Sequence, residues 1–531
     1  MGSKDAFFCT FCSLLLFCFS SKCLSSELDL PQTALVEVDA SWEVSRKIPD
    51  TLFGLFFEEI NHAGAGGIWA ELVSNRSNSQ FDKHSSWKLK NSVALRMEIL
   101  CENCPAGGVG IYNPGFWGMN IEEGKTYNLV MYIRSLESVE LTASLTCSDG
   151  MQNLASVSIQ EIDPSNWTKI EMQLSAQGTC RTSRLELTSM KRGVIWFDQV
   201  SLMPSDTYKG HGFRKELIYM LLELRPQFLR FPGISHHDEV DTIIIEPFVK
   251  DVLDSLEFAR GSAESTWGSV RSAMGHPERF PLKYVAIGNE DCGKEFYRGN
   301  YLKFYDAIRK AYPDIQMISN CDGSSRPLDH PADLYDFHVY TSAANLFIMK
   351  NKFDRTSRIG PKVFVSEYAV NEQRDAGKGS LLASLAEAAF LTGLEKNSWN
   401  PDAIVFNSWQ QYGTPSYWVQ TYFRESSGSV IHPITISSRY SDSLAASAIT
   451  WQDSEDIFLR VKIVNFGPNA VNLTISSRGL QDGVNTAKST VVPVESELPN
   501  AAEVMEAVLP PFSFTSFDLA LDQYSKLVAE M

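Results

Sequence analysis

The sequence predicts an α/β plus all-β architecture, a (β/α) barrel bracketed by two β-sandwiches. Three observations carry it. Strands alternate with helices over residues 212–418, short alternating strands fill about 101–204, and a second all-β stretch runs from about 422 to 521. The length of 531 residues suits two to four domains, and 44% hydrophobic with 21% charged residues excludes a mostly disordered, collagen-like or coiled-coil chain. Lys and Arg number 47 against 64 Asp and Glu, a net charge of −17. That balance argues against non-specific attraction to nucleic acid or anionic membranes, and leaves a neutral ligand such as a sugar open.

The N-terminus reads as a secretory signal over residues 1–26. Lys4 supplies the positive charge, residues 6–20 (AFFCTFCSLLLFCFS) form the apolar run, and small Ser25 and Ser26 precede Glu27. The run is shorter than the roughly 20 residues that span a bilayer, so no membrane association is expected after cleavage. Secretion to the extracellular matrix or cell wall follows as the expectation. Four Cys leave with the signal. Of the six that remain, Cys101 and Cys104 make a lone C-x-x-C without a second pair at zinc-site spacing, so a disulfide in the 101–180 region is expected rather than a metal. Asn75, Asn166 and Asn472 each open an N-glycosylation sequon.

The first sandwich is assigned to 65–205. Residues 127–133, 139–145, 170–174 and 194–197 alternate apolar with polar side chains, and Gly124, Asp149-Gly150 and Gly193 mark turns between them. In the central segment 217–224 has helical spacing and 227–231 reads as a strand ending at Pro232-Gly233. Residues 248–259 follow Pro247, a common helix opener. Strands are expected at 284–288, 315–319, 337–340 and 363–366, and helices at 301–312 and 381–394. Residues 52–57 make an earlier strand, so 35–64 is assigned to the start of the barrel, 206–418 to its remainder and 419–531 to the C-terminal sandwich.

Barrels build their sites at the C-terminal ends of their strands. There stand Asn289-Glu290-Asp291 and Glu367-Tyr368. A carboxylate just past an apolar strand is costly to desolvate unless used or paired. One alone fits a helix cap or a surface ion pair; two on separate strands fit the hydrolysis of a glycosidic bond. His338 reads as a satisfied inner residue, His330 and His338 lack partners at ligand spacing, and no metal or cofactor is expected. Trp399, Trp409 and Trp418 suit sugar stacking and core packing about equally.

Leu52-Phe53-Gly54-Leu55-Phe56-Phe57-Glu58-Glu59, Phe231-Pro232-Gly233, Gly288-Asn289-Glu290-Asp291, His338-Val339-Tyr340 and Val365-Ser366-Glu367-Tyr368 together resemble plant α-L-arabinofuranosidases of glycoside hydrolase family 51. The resemblance implies a (β/α)8-type barrel, an inserted carbohydrate-binding-like β-sandwich and a C-terminal β-sandwich. It also implies a retaining exo-glycosidase acting on arabinose-containing polysaccharides. Carried over by position, Glu290 is the general acid/base and Glu367 the nucleophile. Asn289 holds the sugar 2-hydroxyl, Glu58 holds other hydroxyls, and Tyr340 orients the nucleophile. The chain departs from the family where Pro232-Gly233 runs directly into Ile234-Ser235-His236-His237-Asp238, between Ser398 and Trp399, and after Asn75. Six barrel strands can be counted, not eight, which makes the barrel incomplete. A secreted, catalytically inactive remnant that binds polysaccharide is therefore the second reading, and a glycosidase preferring xylose or another pentose the third. No oligomeric state follows from the sequence.

Overall fold

A computed structural model describes residues 32–74, 94–162, 165–231, 240–377, 379–397, 404–454, 456–479, 484–489, 496–497 and 504–521. The signal segment, Asn75, the junction at 232–239 and Trp399 lie outside them.

The first sandwich forms as its alternation dictates. One antiparallel sheet orders Thr168–Ser175, Thr126–Ser135, Gly193–Pro204 and Leu95–Ile99; the facing sheet orders Val109–Asn113, Cys180–Ser189, Val139–Thr146 and Asn153–Ile162. Every second residue of Thr126–Ser135 turns inward, so Tyr127, Leu129, Met131 and Ile133 are buried against Leu141, Leu145, Leu185 and Leu202. Cys147 is bonded to Cys180, joining the ends of two neighbouring strands of one sheet, and Cys101 is bonded to Cys104, so the C-x-x-C presents no thiolate pair to a metal. Buried Glu71 ties the incoming chain down, with its carboxylate accepting from Ser201 Oγ (2.6 Å) and from the Leu202 and Val73 amides.

The C-terminal sandwich gains a strand from the other end of the chain. Gln32–Asp39, part of which sequence reading groups with the barrel, instead runs parallel to Val471–Arg478 and antiparallel to Ile434–Ser437. Its pattern explains the placement. Ala34, Val36 and Val38 are buried while their neighbours face outward, the signature of a sheet covered on one side only.

Between the sandwiches, six short parallel strands carry the polar residues singled out above. Leu55–Phe56 pairs with Leu229–Arg230. Tyr284–Ile287, Gln316–Ser319, Leu334–Thr341 and Lys362–Val370 form a four-stranded parallel sheet in that order. Among the described residues no backbone ladder joins the pair to the sheet. The expected helices are present as Lys215–Glu223, Glu246–Arg260, Tyr297–Ala311 and Leu381–Asn397. The last is apolar nearly all round because it is covered on all sides, lying between the parallel sheet and the C-terminal sandwich. No helix among the described residues is long and apolar enough to cross a membrane.

Candidate active site

The loop ends of four strands converge on one polar cluster. Lys362–Val370 delivers Glu367, whose residue exposure is 5%. Arg230, at the end of its two-residue strand, donates from Nη1 to Glu367 Oε1 at 2.6 Å, and Tyr340 OH donates to Glu367 Oε2 at 2.7 Å. The second guanidinium nitrogen of Arg230 donates to Asn289 Oδ1, also at 2.6 Å. Arg230 thus spans the gap between the strand pair and the four-stranded sheet, fixing Glu367 and Asn289 with one planar group. Burying a carboxylate this deeply is costly without such partners.

Glu290 occupies the opposite situation. It stands three residues beyond Tyr284–Ile287, its side chain is 56% exposed, and its Oε1 meets His338 Nδ1 at 2.9 Å. One carboxylate oxygen from each of Glu290 and Glu367, together with a His338 ring nitrogen, lie within 4.8 Å of one another. Distance alone would let these three hold a divalent cation. Both Glu367 oxygens are already engaged, however, and the fixed positive charge of Arg230 beside them opposes a second cation.

His338 is satisfied, as the sequence reading has it, with partners on both ring nitrogens. Nε2 faces Ser366 Oγ (2.8 Å) and Asp336 Oδ2 (3.1 Å), while Nδ1 faces Glu290 (2.9 Å) and Glu367 (3.5 Å). A slip in the ladder makes this possible. Asp336 lies opposite Phe364 but His338 lies opposite Glu367, so the second strand carries one extra residue there. Successive side chains normally point to opposite faces. The irregularity lets Ser366 and Glu367, which are adjacent, both reach the same imidazole. His330, by contrast, is buried against Tyr301 with its ring nitrogens at Ser319 and Asp329.

Burial alone would lower the His338 pKa, but the hydrogen bond and charge of Asp336, then Glu290 and Glu367, outweigh it, and the net direction is upward from 6.5. A group whose folded-state pKa is raised contributes stability that is fully present below its unfolded value and is lost as pH climbs through the folded value. NMR titration should therefore find His338 changing charge above 6.5, and Asp336→Asn should bring the midpoint down. A midpoint at or below 6.5 in the intact protein contradicts this electrostatic picture.

Of the residues predicted from sequence, Glu290, Glu367, Asn289 and Tyr340 are brought together. Glu58 lies half-buried two residues past Leu55–Phe56, the strand that pairs with Leu229–Arg230, and makes no hydrogen bond to a described residue. Trp409 is stacked under the Arg181 guanidinium of the first sandwich, 4.0 Å from ring centroid to charge. Trp418 meets Tyr417 edge-on. Asn166 and Asn472 are exposed, as sequons must be to be modified. Arg230 was missed, although a charged residue closing an apolar strand just before Pro-Gly was the available signal.

A family model described as the α-L-arabinofuranosidase 1 domain matches residues 233–358. The chain is 48% identical to α-L-arabinofuranosidase 1 of Arabidopsis thaliana, covering 96% of this chain and 95% of that protein. It is 46% identical to α-L-arabinofuranosidase 2 of the same plant, over 93% and 92%. The first alignment runs over 645 positions, so at least 114 of them have no counterpart in these 531 residues. This agrees with the shortened passages read from the sequence. Among solved structures, the fold resembles that of an arabinose-bound MgGH51 α-L-arabinofuranosidase, with a TM-score of 0.75 at 21% identity over 92% of this chain and 100% of that one.

Proposed function

Because the chain belongs to the α-L-arabinofuranosidases of glycoside hydrolase family 51, we propose that it removes terminal, non-reducing α-L-arabinofuranosyl units from cell-wall arabinan or arabinoxylan with retention of configuration. The observation that carries the reading is that a carboxylate oxygen of Glu290 lies within 4.8 Å of one of Glu367. Retaining glycosidases keep their carboxyl groups about 5–5.5 Å apart, whereas inverting ones leave roughly 6.5–9.5 Å for a water. The strand pair and the four-stranded sheet are two arcs of one (β/α)8-type barrel in this reading, and the sandwich assigned to 65–205 is its carbohydrate-binding-like insert.

The two carboxylates divide the work by environment. Glu367, dry and held by Arg230 and Tyr340, attacks the anomeric carbon as an aligned anion. Glu290, at the solvent-facing edge, gives its proton to the departing oxygen. The arabinosyl–Glu367 ester then forms, Glu290 takes a proton from water, and the hydroxide so generated displaces Glu367. His338, between the two carboxylates, shields their mutual repulsion when charged. Asn289, oriented by Arg230, offers its amide to a sugar hydroxyl, and Glu58 offers its carboxylate to others. Acid, base and nucleophile are all side chains, so the reading calls for no cofactor. Secretion, the sequons at Asn166 and Asn472, and a wall polysaccharide as partner complete the proposal.

Purified protein should release nitrophenol from 4-nitrophenyl α-L-arabinofuranoside. Binding of arabinoxylan without turnover would favour the inactive remnant instead. Glu290→Ala should cost roughly 10²–10⁴-fold on arabino-oligosaccharides, whose leaving groups need protonation, and far less for the first step on activated aryl substrates. Azide should accelerate the second step and trap arabinosyl azide with retained configuration. Equal losses on both substrate types would remove Glu290 from the acid/base role.

A further inference from the structure

We propose that Asn320, assisted by the Cys292–Cys321 disulfide, is the positioning residue that aims the Glu290 carboxyl. The inference rests on the acid/base reading of Glu290. It starts from a backbone anomaly: Glu290 has φ +56°, the left-handed region, which is strained for a non-glycine residue and persists only where surroundings enforce it. More than half of the side chain faces solvent, and its one bonded partner among the described residues is His338. The direction of the carboxyl is therefore set mainly by the turn beneath it.

Two fasteners hold that turn from its C-terminal side. Asn320 Oδ1 accepts hydrogen bonds from both amides following Glu290, Asp291 N at 2.7 Å and Cys292 N at 3.2 Å. One residue further, Cys321 is bonded to Cys292, with 5.1 Å between their Cα atoms. Asn320 is itself fixed, because its backbone N–H donates to Tyr297 OH at 2.8 Å while that hydroxyl donates to Ile287 O at 3.1 Å. The loop is thereby tied to both neighbouring strands. On the other side Gly288 has φ +92°, and a Cβ there would lie 2.3 Å from Asp291 Oδ1, so only glycine allows the chain to fold back over the clamp. Asn320 touches neither substrate nor the reacting atoms in this reading; it acts through Glu290.

Misaiming a reacting group by about 1 Å can cost about 10²-fold. Asn320→Ala should lower kcat/KM for arabino-oligosaccharides by tenfold to a hundredfold. It should cost less than about threefold on 2,4-dinitrophenyl arabinofuranoside, whose departure needs no proton. Asn320→Asp, whose carboxylate oxygen can accept the same two N–H groups, should restore most of the loss. The Cys292→Ser/Cys321→Ser pair should shift the ratio of the two substrates in the same direction. Should Asn320→Ala not be recovered folded, Asn320→Ser withdraws the acceptor from the two amides and is read identically. A uniform loss on both substrates, or none, overturns the positioning role. Glu290→Ala serves as the reference. If that variant itself lacks the leaving-group split, the acid/base reading fails; if it shows the split and Asn320→Ala does not, only the present inference falls.

Discussion

Replacing Glu367 by Ala should reduce kcat on every arabinofuranoside, activated or not, by on the order of 10⁴-fold or more. Neither of the other two carboxylates bonded to His338 can take over. Glu290 is on the leaving-group side, and Asp336 is engaged behind His338 by Ser366 and the imidazole. Insensitivity to the leaving group separates this loss from that of Glu290→Ala, because the missing step is bond formation to the sugar rather than proton delivery. The site left behind is also electrically unbalanced. Arg230 keeps its bond to Asn289 but loses its buried anion, and Tyr340 loses its acceptor. Removing one member of a buried pair costs about 3–5 kcal/mol, so a lower melting temperature is expected along with inactivity. Glu367→Gln, which keeps an oxygen for Arg230, separates the two effects: it should be as inactive as the Ala variant and more stable. Azide added to Glu367→Ala should yield arabinosyl azide of inverted configuration, the opposite of its product with Glu290→Ala. Residual turnover above about 1% in an uncontaminated preparation would exclude Glu367 as nucleophile.

The carboxylates were legible because each terminates an apolar run, where a charge without a use is expensive. The alternation of Tyr127 to Ile133 and the all-round apolarity of Leu381–Asn397 were legible for a similar reason, since burial imposes its own period on sequence. Two parts of the site were not. Arg230 lies in a strand of only two residues whose partner is far away in sequence, so the local pattern marks a charged strand end but not that it meets Glu367. His338 reads as a satisfied inner residue in the correct strand, but the groups that satisfy it were not named, although Asp336, His338 and Tyr340 share one face at period two. The missing piece was the slipped register opposite them, a property of two strands jointly and of neither alone. The parallel addition of Gln32–Asp39 to the C-terminal sandwich is likewise a pairing choice across more than 400 residues, about which local pattern says only that the strand needs some covered face.

A large stability effect should also come from outside the cluster, at the ion pair where the Leu381–Asn397 helix meets the C-terminal sandwich. Lys462 is wholly buried, and its ammonium pairs with Glu395, which also accepts from Ser426 and Ser447. Burial drives the Lys462 pKa down, and Glu395 beside it pulls the other way. The same ammonium lies 4.2 Å from the Phe423 ring centroid and 3.1 Å from Ser426 Oγ, so every direction around it is occupied. Lys462→Met fills similar volume but strands an anion in a dry interface, at about 3–5 kcal/mol. In calorimetry this should appear as a drop on the order of 10 °C in the transition that includes the C-terminal sandwich. Because the desolvation cost of two charges rivals their attraction, the double change Lys462→Met with Glu395→Leu should recover most of that loss or exceed the parent. The helix also carries Glu387, whose carboxylate accepts from the Val370 amide on the strand bearing Glu367. Activity measured well below the transition should nonetheless stay near that of the parent, since neither Lys462 nor Glu395 bonds to a residue of the cluster. If Lys462→Met melts within about 1 °C of the unmodified protein, the interface is wetter than its burial implies and the pair is not what fastens the helix to the sandwich.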